Sequence, residues 1–202
     1  MKLYLIFLNV WTAAVYYIIY CEPRSYNNAL AGFWGIMALF WIYDLKVNYT
    51  PFERTHKHTH LAILLCSLPL AYPLFSLARG MSFPMMTSPV MPCSVAVFTI
   101  GLLLAFSKRV NIFLVMFLCH WALIGFTKTY FFHIPEDFLL ASSSLPALYL
   151  FFKEYTASRL HTSTHLRARM INLALLIACG AIGILFMIAM ACELAQEQVL
   201  LK

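Results

Sequence analysis

The chain has 202 residues, of which 62% are hydrophobic and only 11% are charged. A soluble domain carries about a quarter charged residues, so this composition excludes an ordinary soluble globular protein. The net charge is +6, but the basic residues form no patch longer than a loop, which argues against nucleic-acid binding. Positive charge beside apolar segments is instead typical of membrane topology signals and of contacts with anionic lipids.

Seven apolar segments follow one another along the chain, and each predicts a membrane-spanning helix. They cover approximately residues 3–21, 29–45, 61–78, 89–107, 111–127, 137–153 and 170–192. A span needs about 20 residues, whereas the fourth and fifth segments have apolar cores of only about 15 residues. These two segments cross with the help of their flanks, or they form a hairpin that enters and returns. The sequence therefore predicts an all-α fold, an integral membrane bundle of about seven transmembrane helices in a single domain, 1–202.

The basic residues between the segments predict the orientation of the chain. With the N-terminus inside, ten of them fall on the inner side: Lys2, Lys46, Arg54, Lys57, Lys108, Arg109, Lys153, Arg159, Arg167 and Arg169. The other four fall on the outer side: Arg24, Arg79, Lys128 and Lys202. Because short inner loops carry the excess of Lys and Arg, this distribution favours an inside N-terminus and an outside C-terminus in a bacterial inner membrane.

The loop between the third and fourth segments carries three prolines, Pro84, Pro89 and Pro92. Proline lacks the backbone N–H that a helix interior needs, so this loop is not expected to be helical. We expect it to pack as an irregular cap on the outer face.

A group of polar side chains is predicted at the outer rim, the outer ends of the central helices. Cys93 begins the fourth helix, and Glu136 and Asp137 begin the sixth. In a binding site the two carboxylates would contact a cation. The alternative is that Pro135 and the carboxylates only start a helix, where proline and negative charge are both favourable.

Two polar residues lie deeper in the predicted membrane. Thr99 is about 10 Å below Pro92 along the fourth helix, and His120 is about 9 Å below Phe126 along the fifth. A histidine inside a membrane predicts a functional site, because burying a polar group there is costly. The alternative is a neutral imidazole that bonds Thr99 or a backbone carbonyl and joins two helices.

The central part of the chain resembles a bacterial multi-pass membrane family that is catalogued only as a domain of unknown function. The resemblance covers about a third of the chain, from Tyr72 to Ala141. Its residues are Tyr72-Pro73, Gly80, Pro92-Cys93, Phe98-Thr99, Gly101, Trp121, Leu123-Ile124-Gly125 and Pro135-Glu136-Asp137. Ser94 stands where the family pattern tends to have a second proline. The resemblance implies a membrane protein whose central helices matter, and it implies no reaction.

Histidines on the predicted inner side suggest a second kind of site. His56 and His60 are four residues apart, and so are His161 and His165. On a helix such a pair shares one face and can bind one metal ion, so two pairs supply the four nitrogens of a zinc site. The alternative is that these histidines are hydrated and contact lipid headgroups.

The second pair is similar in position to the HxxxH pair of seven-helix membrane hydrolases related to alkaline ceramidase. That resemblance implies zinc at the inner face and a lipid substrate. The serine that the family has four residues before the first histidine is absent, since Phe52 precedes His56. Asp44 or Glu53 would then have to provide a carboxylate.

Three functions follow as hypotheses. The first is a small permease-like or solute-binding membrane protein, without enzymatic activity, that uses Cys93, Thr99, His120, Glu136 and Asp137 for an unknown small solute or ion. The second is a zinc-dependent lipid hydrolase that uses His56, His60, His161 and His165. The third is an accessory membrane subunit without a site of its own. Membrane lipids are the expected partners, zinc is the only cofactor indicated, and the sequence leaves oligomerisation open.

Overall fold

The computed structural model describes residues 1–21, 26–53, 57–82, 87–132, 135–160 and 166–200. Within them the chain is all-helical, apart from one isolated antiparallel bridge between Phe52 and Ser107. The helices are α1 (Lys2–Trp11), which continues as a π-helical stretch (Thr12–Tyr20), α2 (Asn27–Val47), α3 (Thr59–Ala78), α4 (Pro92–Phe106), α5 (Ile112–Phe132), α6 (Pro135–Leu160) and α7 (Leu166–Leu200). The predicted all-α fold is confirmed for these residues, with one helix for each predicted segment.

Four helical spans in the described residues are long and apolar enough to cross a membrane. They are Lys2–Tyr20, Asn27–Val47, Thr59–Ala78 and Leu173–Cys192. The apolar helices Pro92–Phe106 and Ile112–Phe126 are shorter, as the sequence predicted for segments four and five. The ends of α6 and α7 extend beyond the predicted segments, through residues 154–160 and 193–200.

The chain separates into two compact units, Met1–Asn111 (unit 1) and Ile112–Lys202 (unit 2). The expectation of a single domain over 1–202 stays a prediction. In unit 1, α1 with its π-helical stretch packs on α2, and α3 packs on α4. Tyr4 of α1 meets Phe98 of α4 edge to face, with ring centroids 6.4 Å apart. In unit 2, α5 packs on both α6 and α7.

Gly101 sets the closeness of α3 and α4. A Cβ atom at this position would lie 3.0 Å from both the backbone nitrogen of Cys66 and the Cβ of Leu65, and 2.7 Å from the Cys66 Sγ. The two helices therefore approach to backbone contact at a point where only glycine fits without a shift.

The loop between α3 and α4 is non-helical in its described residues, 79–82 and 87–91, as its prolines predicted. It leaves α3 through Gly80, whose φ of +79° favours glycine. The buried Ser76 hydroxyl lies 2.6 Å from the Thr87 hydroxyl and accepts the Thr87 backbone N–H at 3.2 Å. The Ser94 hydroxyl donates to the Ser88 carbonyl at 3.1 Å. These bonds close the loop over one end of α3 and α4.

Candidate functional site

The imidazole of His120 is buried in the interior of unit 2. It lies on α5, eight residues after Ile112, which places it about 12 Å along the helix. Only 7% of the residue is exposed. The rest of this helix is apolar over most of its length, so the imidazole is an isolated polar group between α5 and its neighbours.

Two glycines of α7 form a notch that receives the His120 ring. A Cβ atom on Gly183 would overlap the Nε2, Cδ2 and Cε1 atoms of the imidazole. The ring also has a backbone hydrogen bond with Gly180. One turn earlier on α5, the Met116 Cε lies 3.4 Å from the Cβ position of Gly180. Because 116 meets 180 and 120 meets 183, α5 and α7 run parallel.

The third helix of unit 2 brings a serine to the same level. Phe126 of α5 and Phe138 of α6 pack edge to face with centroids 6.0 Å apart. Since α5 and α6 are antiparallel, His120 and Ser144, each six residues away from this contact, lie at a similar depth about 9 Å below it. Ser144 is fully buried, and its hydroxyl donates to the Ala141 carbonyl at 3.0 Å. His120 contacts the Gly180–Gly183 notch, and Ser144 lies at a similar depth on α6. We call this level of unit 2 the His120 layer.

Thr99, the predicted partner of His120, is buried in α4 of unit 1. Only 1% of it is exposed, and its hydroxyl donates to the Val95 carbonyl of its own helix at 2.7 Å. The hydrogen bond that a buried hydroxyl needs is thus made within α4 itself. Contact between Thr99 and His120 stays a prediction.

The predicted outer-rim residues begin two helices. Cys93 is the second residue of α4, follows Pro92 and is buried. Glu136 and Asp137 lie in the first turn of α6 after Pro135, as the helix-start interpretation predicted, and their side chains lie outside the described part of the chain. A shared site at the outer rim stays a prediction.

The predicted zinc ligands fall largely outside the described residues. His56, His161 and His165 all lie there, and His60 is exposed in the first turn of α3. No group of three or more His, Cys, Asp or Glu side chains that could hold a metal ion occurs in the part of the chain that the structure describes. The zinc site stays a prediction.

Both carboxylates proposed to assist zinc chemistry are bound to lysines. The Glu53 carboxylate lies 2.6 Å from the Lys108 Nζ, with both side chains exposed. The Lys108 hydrogen bond and charge lower the pKa of Glu53. Asp44 is fully buried and pairs with Lys2 at 2.8 Å. Neither carboxylate is therefore available to a metal-bound water without first breaking an ion pair.

Sequence reasoning missed two parts of these arrangements. The Gly180–Gly183 notch has a visible signal, because small residues spaced along an apolar segment are typical of close helix contacts in membranes. The Asp44–Lys2 pair also has one, because an acid within an apolar segment requires a cation or several hydrogen bonds.

Comparison with protein families finds a match to DUF6064, described as a family of unknown function, over residues 1–162. The predicted resemblance to a family of unknown function is thereby confirmed, and it extends beyond 72–141 to all of the first six helices. Comparisons with curated proteins and with solved structures find no match.

Proposed function

The chain belongs to the family of unknown function DUF6064, and from that premise we propose that it is a multi-pass protein of the bacterial inner membrane with a permease-like function at the His120 layer. The imidazole would exchange a proton with, or donate a hydrogen bond to, a small polar solute within the bundle. Glu136 and Asp137, in the first turn of α6, would line the outer approach.

Membrane insertion is supported by the four long apolar spans and by the exposed apolar side chains on them. The topology is supported by contacts within unit 1. The start of α1, the end of α2 and the end of α4 meet at one end of the unit, through Lys2–Asp44, Phe52–Ser107 and Glu53–Lys108. Helices that alternate in direction across a membrane bring these three ends together, and these residues lie in predicted inner regions or at the predicted inner ends of the apolar segments.

The observation that carries the functional proposal is the placement of the His120 imidazole against the backbone of α7. A polar side chain at the middle of a membrane helix is costly to bury and is usually functional. The ring lies against the glycine notch of α7 and has a backbone hydrogen bond with Gly180, and an imidazole has a second nitrogen that can take up a proton or a hydrogen bond.

The test separates a functional histidine from one that only joins helices. His120→Gln keeps an N–H donor for the Gly180 carbonyl but has no titratable ring. Purified wild type and variant are reconstituted into vesicles that contain a pH-sensitive dye, and the proton flux under an imposed pH gradient is recorded. We expect wild-type flux above that of empty vesicles, and a loss of at least tenfold in His120→Gln with its melting temperature little changed.

Equal flux in wild type and His120→Gln would contradict the proposed role of the imidazole. Wild-type flux equal to that of empty vesicles would reject proton exchange. His120→Ala is the matched variant that lacks both the N–H donor and the titratable ring. It should lose proton flux and thermal stability together.

A second candidate function is that of an accessory subunit. It is favoured by α7, because the span Leu173–Cys192 is the least buried of the four long spans. Copurification of a stoichiometric partner from mild detergent, lost on removing residues 166–200, would support it.

A further inference from the structure

The ammonium group of Lys2 lies in a cage of oxygen atoms at the C-terminal end of α2. Its Nζ is 2.8 Å from the Asp44 Oδ2, 2.8 Å from the Asn48 Oδ1 and 3.0 Å from the Asp44 backbone oxygen. Lys2 is only 8% exposed and Asp44 is fully buried. The ammonium therefore donates two hydrogen bonds, to the Asn48 Oδ1 and the Asp44 carbonyl oxygen, and forms an ion pair with the Asp44 Oδ2.

Further hydrogen bonds hold the Asp44 carboxylate in place. Its Oδ1 accepts the Thr50 backbone N–H at 3.1 Å and the Thr50 hydroxyl at 3.0 Å. The Thr50 hydroxyl oxygen in turn accepts the Asn111 backbone N–H at 3.2 Å. The Oδ2 has no hydrogen bond of good geometry among the described residues and is balanced by the charge of Nζ. One carboxylate oxygen is thus fixed, and the other faces the cation.

The end of α2 completes the cage. Asn48 takes the left-handed conformation, with φ of 52°, and its N–H bonds the Asp44 carbonyl at 2.8 Å. Asparagine tolerates this conformation better than most residues, and the turn brings its side-chain oxygen to Nζ. The helix dipole places further negative charge at this end. Asn48 itself is exposed, so the cage is reached from solvent on one side.

We propose that the C-terminal end of α2 is a binding site for an ammonium-sized monovalent cation, which Lys2 of the same chain fills as a tethered ligand. A carboxylate, an amide oxygen and a backbone carbonyl are ligands of hard cations. K⁺ makes oxygen contacts similar in length to those of ammonium, so NH₄⁺ and K⁺ are the free ions that fit. A planar guanidinium does not match three oxygens arranged around one point.

The site is independent of the His120 layer, since every ligand belongs to unit 1. Occupancy of the cation site also has a structural consequence. The start of α1 is held to α2 by occupancy of a cation site, so displacement of Lys2 by a free cation releases α1 while the cage stays satisfied.

The experiment uses Lys2→Met, which keeps the length of the side chain but removes the ammonium. Thermal unfolding of the purified full chain is measured in NH₄Cl, in KCl and in N-methylglucamine chloride at equal ionic strength. In N-methylglucamine we expect Lys2→Met to melt about 4–8 °C below the wild type. The melting temperature of a chain of this size shifts by about 2–4 °C for each kcal/mol of unfolding free energy that is lost. NH₄⁺ and K⁺ should restore at least half of that fall in melting temperature, and the effect should saturate as the cation concentration rises.

Three variants make the result specific. Lys46→Met removes an exposed lysine from α2, the helix whose end forms the cage. This variant should show neither the fall in melting temperature nor the response to cations. Lys2→Arg keeps the charge but should lose stability nearly as Lys2→Met does. Lys2→Met combined with Asn48→Gly keeps the left-handed turn, removes one cage oxygen and should abolish the recovery by NH₄⁺ and K⁺.

Recovery of Lys2→Met by N-methylglucamine to the same extent as by NH₄⁺ would overturn the cation site, and so would recovery that persists in the double variant. If Lys2→Met is recovered folded only from NH₄⁺ buffer and unfolds on exchange into N-methylglucamine, the site is supported. If it is unfolded in all three salts while Lys2→Arg is as stable as wild type, the site is overturned.

Discussion

At the scale of single residues, Gly183 sets the position of the His120 imidazole. Gly183→Ala places a Cβ inside the ring, so either the ring turns away or α7 moves. We expect a loss of about 1–3 kcal/mol in the free energy of unfolding, the usual cost of overpacking. Chemical or thermal unfolding in detergent measures it.

The matched control is Gly180→Ala, where the new Cβ meets only the mobile end of Met116 at 3.4 Å. This change should cost much less than Gly183→Ala. In a His120→Ala background the cost of Gly183→Ala should nearly vanish, because the ring that it strikes is gone. An unchanged cost in that background would contradict the notch.

Gly101 makes a second residue-scale prediction, in unit 1. Gly101→Ala directs a Cβ at the backbone of α3, which cannot rotate away as a side chain can. We expect a loss of about 1–3 kcal/mol in the free energy of unfolding. Gly35→Ala on α2 is the control, since nothing lies within 4 Å of its Cβ position, and it should be neutral or stabilising. Equal stability of the two variants would contradict the close approach of α3 and α4.

The residue scale is also where the sequence was least informative. His120 was predicted as an intramembrane polar site, but its contact with α7 was not, because residues 60 positions apart have no signal in spacing along the chain. Lys2 was interpreted only as a topology charge and Asp44 only as a carboxylate that could assist zinc. Their pairing depends on the left-handed turn at Asn48, a backbone detail that composition does not show.

At the scale of helices, the apolar segments of the sequence predicted where the helices form. All seven segments have a helix in the described residues, and the short fourth and fifth were predicted as short. The π-helical stretch Thr12–Tyr20 was not predicted, because its residues are ordinary apolar helix formers.

The exposed face of α7 makes an element-scale prediction. Leu185 is 65% exposed near the middle of the span. If lipid covers this face, Leu185→Lys should cost about 3 kcal/mol for a charge at the centre of a membrane helix and lower the amount of folded protein in the membrane fraction. Leu185→Ala, the matched control, should have little effect. Equal yields of Leu185→Lys and wild type would show that α7 does not face lipid.

At the scale of the whole molecule, every functional statement about His120 depends on α5 crossing the membrane. Residues 112–126 are apolar but short, so α5 needs its flank through Phe132 to cross. The sidedness of the other segments is the same whether α4 and α5 cross fully or form a hairpin, and of the basic residues only Lys108 and Arg109, between these two helices, change place. Charge counting alone therefore does not separate these two topologies.

The measurement that decides this is a set of reporter fusions, with a fluorescent protein that matures only inside the cell and a phosphatase that is active only outside it. The reporters are placed in the loops at 108–110, 133–134 and 161–165 and after residue 202. Seven crossings predict that the four sites are inside, outside, inside and outside in that order. A reporter at 133–134 on the same side as that at 108–110 would contradict a membrane-spanning α5 and, with it, the proposed intramembrane role of His120.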